Sequence, residues 1–219
     1  MIVAIGKIET GKIIEDLIKI AKGENELHEK NTKIGEFKHH DGWGMAYYTD
    51  KMWHTYKSTK PIYKEDIDLF KEIRPNAIIL HTRRATKGEI NIKNTQPFNY
   101  QNYVFAHNGT IFDEFKVPEK YIEGNSDSAK WFNSILSHSE KSHEIQTMDF
   151  NNYTSANFIF AKNNKIIIGQ RFKKNPKYST MKMYKDGDTT IISSEILPGL
   201  KDKQWVYFEN DTILELDII

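Results

Sequence analysis

From residue 157 to the end, the apolar runs of this chain have the length and composition of β-strands, at 158–162, 165–171, 180–185, 189–194, 204–208 and 212–218. The chain also opens on a strand, Ile2 to Ile8. Helical spacing is confined to three stretches. Gly11 to Lys22 puts Ile13, Ile14, Leu17, Ile18 and Ala21 on one face. A segment opened by Pro61 and closed by Pro75 carries Ile62, Ile67, Leu69, Phe70 and Ile73, and Asn125 to Ser137 sets Ala129, Phe132, Ile135 and Leu136 behind an Asn-Ser cap. Between them, Trp43–Tyr48 and Met52–Lys57 read as paired strands turning at Asp50-Lys51, and Ala77–Thr82 as a strongly apolar strand; residues 23–42 read as a polar loop.

Strands at both ends with helices among them suit sheets covered by helices rather than a doubly wound parallel sheet. The expected class is α+β: two mostly antiparallel sheets with helices on the outside. A large all-β sandwich with helical insertions is the rival, and the helix after Asn125 argues against it. No repeat or linker divides the 219 residues, so a single domain spanning 1–219 is expected.

Composition narrows function mainly by exclusion. Lysine plus arginine total 31 against 30 aspartate plus glutamate, so no bulk field draws the chain to nucleic acid or to a membrane surface. The basic stretch Arg171 to Lys177 reads as a solvated loop, with nucleic-acid binding as the weaker alternative. No run reaches bilayer-spanning length and the N-terminus lacks a signal-peptide core, so a cytoplasmic location is expected. There is no cysteine, which removes disulfides, thiolate metal sites and cysteine nucleophiles from the chain as written. His39-His40-Asp41 lacks the spacing of a zinc site, so neither metal nor other cofactor is expected.

Polar residues interrupt the apolar pattern at four points. In YVFAHNGTIF, residues 103–112, an apolar strand breaks at His107-Asn108-Gly109. Asn-Gly is a strong hairpin signal; alternatively, the Asn108 amide and the Gly109 N–H form a donor pair for a developing oxyanion. Arg83 and Arg84 follow the 77–82 strand, where ligand-binding loops commonly sit, and a guanidinium fork matches a carboxylate. Adjacent side chains on an extended segment face opposite ways, so at least one should point inward. Asp127 either complements the dipole of its own helix or faces a cationic group such as a substrate ammonium. His39 to Gly44 is either a glycine-rich loop or, on weaker grounds, a metal site. A guanidinium for a carboxylate, an aspartate for an ammonium and a donor pair for an oxyanion together describe a pocket for an α-amino acid carrying a distal amide, a description that glutamine fits.

Taken in order, the motifs His39–Gly44, His81–Thr86, Asn94–Phe98, Ala106–Gly109 and Asn125–Ser128 resemble those of the class II glutamine amidotransferases, above all their stand-alone, single-domain branch, which includes the ergothioneine-pathway amidohydrolase. Ser193 to Glu195 is similar to the family's late strand end. The resemblance implies a four-layer αββα fold of the N-terminal-nucleophile hydrolases and a substrate that is glutamine or a γ-glutamyl small molecule. It implies that Arg83 holds the α-carboxylate and Asp127 the α-ammonium, with Thr86 lining the same loop and with Asn108 and the Gly109 N–H as the oxyanion hole. In the family an N-terminal cysteine attacks the amide and its own α-amino group is the base. With no synthase domain visible, released ammonia would need a separate acceptor enzyme, unless the reaction is plain hydrolysis.

The chain departs from that pattern where the nucleophile belongs. Met1 stands directly before Ile2-Val3-Ala4-Ile5, and the first hydroxyl is Thr10. Arg84 stands where relatives often carry an aromatic residue, and Gln96 where many carry histidine. Two explanations compete: a native protein that begins one or two residues earlier with a cysteine, or a pseudo-enzyme that keeps the pocket to bind or sense an amino acid.

Overall fold

The computed structural model describes residues 1–25, 37–115, 120–142 and 150–218; part of the loop expected over 23–42 lies outside them. The opening strand β1 (Ile2–Ile5) leads into helix α1 (Thr10–Lys22), then β2 (Trp43–Thr49), β3 (Met52–Ser58), a short helix α2 (Asp68–Lys71) and β4 (Ala77–Thr82). There follow β5 (Phe98–Tyr100), β6 (Tyr103–Ile111), α3 (Asp127–Ser142), β7 (Tyr153–Lys162), β8 (Lys165–Gly169) and the short α4 (Pro176–Ser179). The chain ends in β9 (Lys182–Asp186), β10 (Thr189–Ser193), β11 (Val206–Tyr207) and β12 (Ile213–Asp217). One sheet has the order β11-β9-β10-β1-β4-β2-β3 and the other β12-β8-β7-β6-β5, every pairing antiparallel.

Three apolar layers hold four layers of structure. Val3, Ile5 and Ile79 of the first sheet meet Val104, Ile159 and Ile168 of the second, all buried. Because side chains alternate along a strand, Ile2, Ala4, Ile78 and Leu80 point the other way, onto Ile13, Ile14, Leu17 and Ala21 of α1. On the far side, Phe105, Phe158 and Phe160 pack against Trp131, Phe132 and Ile135 of α3. The Phe105 and Phe132 rings lie nearly parallel, 5.4 Å apart. This is the expected αββα arrangement of two antiparallel sheets between helices. Among the described residues no helix is long and apolar enough to cross a membrane.

Local chemistry explains where the elements stop. Gly23, at φ 127°, ends α1; its N–H and that of Glu24 bond back to the carbonyls of Ile20 and Lys19. The returning chain is fastened to the same helix end. Asn25 Nδ2 donates to the carbonyls of both Ile20 and Phe37 at 2.9 Å, and His39 N–H donates to Ala21 O.

Two local expectations are corrected. The helix over 61–75 is reduced to a 3-10 turn at Ile62–Lys64 and the single turn of α2, with Leu69 left 82% exposed. Between these turns Glu65 is extended, and its carboxylate accepts a hydrogen bond from Ser58 Oγ at the end of β3. There is also no hairpin at Asn108-Gly109. Strand β6 runs through without turning and pairs with β7 across Asn108↔Asn157 and Gly109↔Ala156, with only a register irregularity between Gly109 and Ile111.

Ile79 has no exposed surface and sits between the sheets. Ile79→Ala should lower unfolding stability by about 2–5 kcal/mol in urea denaturation. A loss under about 1 kcal/mol would mean that the sheets are not packed there.

Candidate functional site

The C-terminal end of β4, the middle of β6, the start of α3 and the start of β1 open onto one cavity of about 350 Å³. Arg83, Thr86, Asn108, Gly109 and Asp127 all line it, as does Met1. The groups singled out in the sequence are thus brought together from positions far apart in the chain.

Arg83 is 4% exposed, and burial lowers its pKa while the charges of Asp41 and Asp127 raise it. Its guanidinium donates to the carbonyls of Glu89 at 3.1 Å and Lys87 at 3.0 Å, which orients the loop after β4. Asp41 supports the same loop by accepting from the Ala85 N–H at 2.7 Å. Thr86, more exposed, shares a 2.8 Å hydrogen bond with the hydroxyl of Thr110 on β6.

The expected Asn-Ser cap falls to Ser126, and Asp127 ties the helix to the neighbouring strand. Ser126 Oγ accepts the Ala129 N–H as helix cap, leaving Asp127 free to accept the Ile111 N–H at 2.7 Å. That bond locks the start of α3 to the end of β6. A second tie comes from Asn94, whose Oδ1 accepts from the N–H groups of Asn125 and Ser126.

Asn108 and Gly109 are held from below. Ser155 Oγ donates to the Asn108 carbonyl at 2.7 Å, while the Asn108 side-chain amide has no partner among the described residues. Gly109 has φ 145°, and a Cβ there would meet Ser155 O at 1.9 Å, so only glycine fits. An unpartnered carboxamide on a rigid strand is the kind of donor that can meet a developing oxyanion without reorganising.

Residues that the sequence reading left in the background complete the walls. Gln96 accepts the His107 N–H at 2.6 Å and donates to Ser128 Oγ, so it is a strut beneath β6. The α-amino group of Met1 is buried and donates to Ser194 Oγ at 3.2 Å; the Ser194 carbonyl accepts from Lys182 Nζ at 2.9 Å. Burial, outweighing the opposing pull of Glu195, lowers the pKa of this amine to about 6. Around it stand three buried histidines. Burial, assisted by the positive charges of the Met1 amine and Arg84, pushes His39 down to about 3. Burial drives His81 well below its ordinary value and also lowers His107. Phe37 and Tyr178 form part of the outer wall. Nothing in the local sequence of either residue marked it, because Phe37 arrives from the chain before β2 and Tyr178 from the short helix α4. Among the described residues, no group of three or more His, Cys, Asp or Glu is set to hold a metal ion.

The profile of the class II glutamine amidotransferases matches residues 28–166. An Escherichia coli protein described as "Putative glutamine amidotransferase YafJ" is 30% identical over 111 residues, which cover 47% of this chain and 44% of that one. Protein MJ1515 of Methanocaldococcus jannaschii is 26% identical over 228 residues, covering 83% of this chain and 63% of the relative. The matches thus take in roughly half of these relatives' length. Among solved structures, the B. subtilis glutamine phosphoribosylpyrophosphate amidotransferase complexed with ADP and GMP superposes with a TM-score of 0.63 at 15% identity, covering 99% of this chain and 46% of that one. A glutamine aminotransferase class-II domain protein from Silicibacter pomeroyi gives 0.59 at 13% identity, covering 99% and 94%. At these identities the structural likeness speaks for the fold.

The histidines set a pH dependence. Between pH 6.5 and about 3, unfolded His39 takes up a proton that the folded protein refuses, so stability falls as pH drops through that window. His39 alone should contribute a slope approaching about 1.4 kcal/mol per pH unit. Urea unfolding at pH 7 and pH 5 checks this: His39→Gln should flatten the profile, and an unchanged slope would count against a buried neutral imidazole.

Proposed function

The chain belongs to the class II glutamine amidotransferases, and we propose that its cavity binds glutamine or a γ-glutamyl compound through the α-amino acid end and presents the side-chain amide for hydrolysis. The observation that carries this reading is the shared cavity of Arg83, Asp127, Asn108, Gly109 and residue 1. Arg83 would hold the α-carboxylate with the donors not engaged by its own loop, Asp127 the α-ammonium, and Thr86 would line the same end.

The reaction needs a nucleophile at residue 1 or immediately ahead of it. With cysteine there, the thiolate attacks the amide carbon, and the oxyanion is met by the Asn108 carboxamide and the Gly109 N–H. The amide C–N bond then breaks, ammonia or an amine leaves with a proton, and water resolves the thioester. The surroundings of residue 1 suit the α-amine for the role of base, since burial keeps it largely neutral at pH 7. Ammonia would pass to a separate acceptor enzyme or be lost to solvent. One observation favours a second reading, binding without turnover: the side chain now at residue 1 is the thioether of methionine, which is no nucleophile.

Two proteins separate these readings: Met1→Cys with the cysteine N-terminal, and a version with cysteine inserted before Met1. At least one should release glutamate from glutamine or a γ-glutamyl amide. In the active version Asn108→Ala should lower kcat by about 10²–10³-fold, and Arg83→Ala should raise KM. If neither protein turns over, while the 219-residue chain binds glutamine saturably in calorimetry and Asp127→Ala abolishes that binding, the second reading holds. An Arg83→Ala variant with unchanged KM or affinity would sink the assignment of the pocket.

A further inference from the structure

Lys182 stands on β9 with no exposed surface, paired with Ser193 of β10 on one side and Tyr207 of β11 on the other. Burying an ammonium is unfavourable unless its donors are taken up. Its Nζ donates to the Ser194 carbonyl at 2.9 Å and lies 5.8 Å from the centre of the Tyr207 ring. The ladder between β9 and β10 already runs from Thr189↔Asp186 to Ser193↔Lys182, so strand pairing alone does not call for a charge there.

Ser194, the residue that Lys182 grips, brackets residue 1. Its N–H donates to the Met1 carbonyl at 3.1 Å and its Oγ accepts from the Met1 amine at 3.2 Å. Met1 and Ser194 both line the cavity. A hydroxyl that takes up one N–H of the amine leaves the rest of that nitrogen, including its lone pair once neutral, for other partners. The charges around the amine come from four elements. Burial lowers its pKa, Glu195 after β10 raises it and Lys182 on β9 lowers it, while the amine in turn bears on His39 ahead of β2 and His81 of β4.

Resting on the reading of residue 1 as the reacting position, we propose that Lys182 is a positioning residue for the α-amine: through Ser194 it holds that amine at the cavity as the base for the nucleophile. With cysteine at residue 1, the S–H bond breaks, its proton passes to the amine lone pair, and the sulfur electron pair attacks the amide carbon. The proton then leaves on the departing nitrogen.

The 219-residue chain allows a first test without turnover. Carbon-13 at the α-position of methionine reports ionisation of the Met1 amine in an NMR titration. Lys182→Met, similar in length and uncharged, should move that midpoint up by about one pH unit. Lys182→Arg, which keeps the charge and the donors, should leave it in place. In the Met1→Cys protein, Lys182→Met should shift the acid limb of kcat/KM for glutamine by the same amount, about a tenfold loss at low pH, with KM on the plateau unchanged. If Lys182→Met does not fold, Ser194→Ala decides: it should lower plateau kcat about ten- to a hundredfold at unchanged KM, and an unaltered kcat overturns the proposal. An unmoved midpoint in Lys182→Met, or a kcat that falls equally at every pH, overturns it while leaving the γ-glutamyl reading intact. So does turnover by the protein with cysteine inserted before Met1 when Met1→Cys is inert, because the working amine then lies one residue beyond the Ser194 bracket. A shifted midpoint with no turnover in either protein upholds the hold of Lys182 on the amine and overturns the reading of the reaction.

Discussion

Everything in the site depends on where β1 is clamped. The strand lies between β4 and β10 with both of its faces buried, and the register Ile2↔Leu80 and Ile2↔Ser193 is fixed by that burial. A shift of one residue would turn Ile2 and Ala4 from α1 toward the other sheet. Residue 1 must then emerge beside His81 on one neighbour and Ser194 on the other, at the edge of the cavity. An apolar tetrapeptide with no chemistry of its own thus delivers the chain's first residue to the cavity.

Around that point the protein gathers charges it has to keep apart from water and from one another. Lys182, with no exposed surface, holds the carbonyl of the serine whose hydroxyl receives the Met1 amine, so a second positive charge beside it is disfavoured. The three imidazoles are kept neutral chiefly by burial. What remains charged is arranged in opposed pairs or against aromatic rings, as with Arg83 near Asp127 and Arg84 over Phe37. Such an interior tolerates a zwitterion better than a simple cation or anion, because each end finds a countercharge and the middle needs none.

The layers were legible because burial on two faces leaves an unmistakable trace: Ile2–Ile5 and Ala77–Thr82 are apolar throughout, and the Gly11–Lys22 helix shows its single stripe. The site groups were legible as residue types that do not belong in apolar surroundings. Legibility failed where tertiary contacts overrode local preference. Asn-Gly favours a turn, yet β7 offers β6 a continuous partner, and the glycine serves close approach to Ser155 instead. The 61–75 segment has helical spacing, but the tie from Ser58 to Glu65 breaks it in two. Phe37 and Tyr178 could not be found from sequence, since they meet only once the chain before β2 and the short helix α4 are folded together.

The fastening of the returning chain to the end of α1 has a consequence for how this protein can vary. Asn25 grips Phe37, and Ala21 grips His39, so both residues are positioned by the helix and not by whatever length of chain connects them to it. Closing a longer excursion adds only about 0.6 kcal/mol per doubling of its length. A change in the length of chain between Asn25 and Phe37 therefore leaves Phe37 and His39 where the end of α1 holds them.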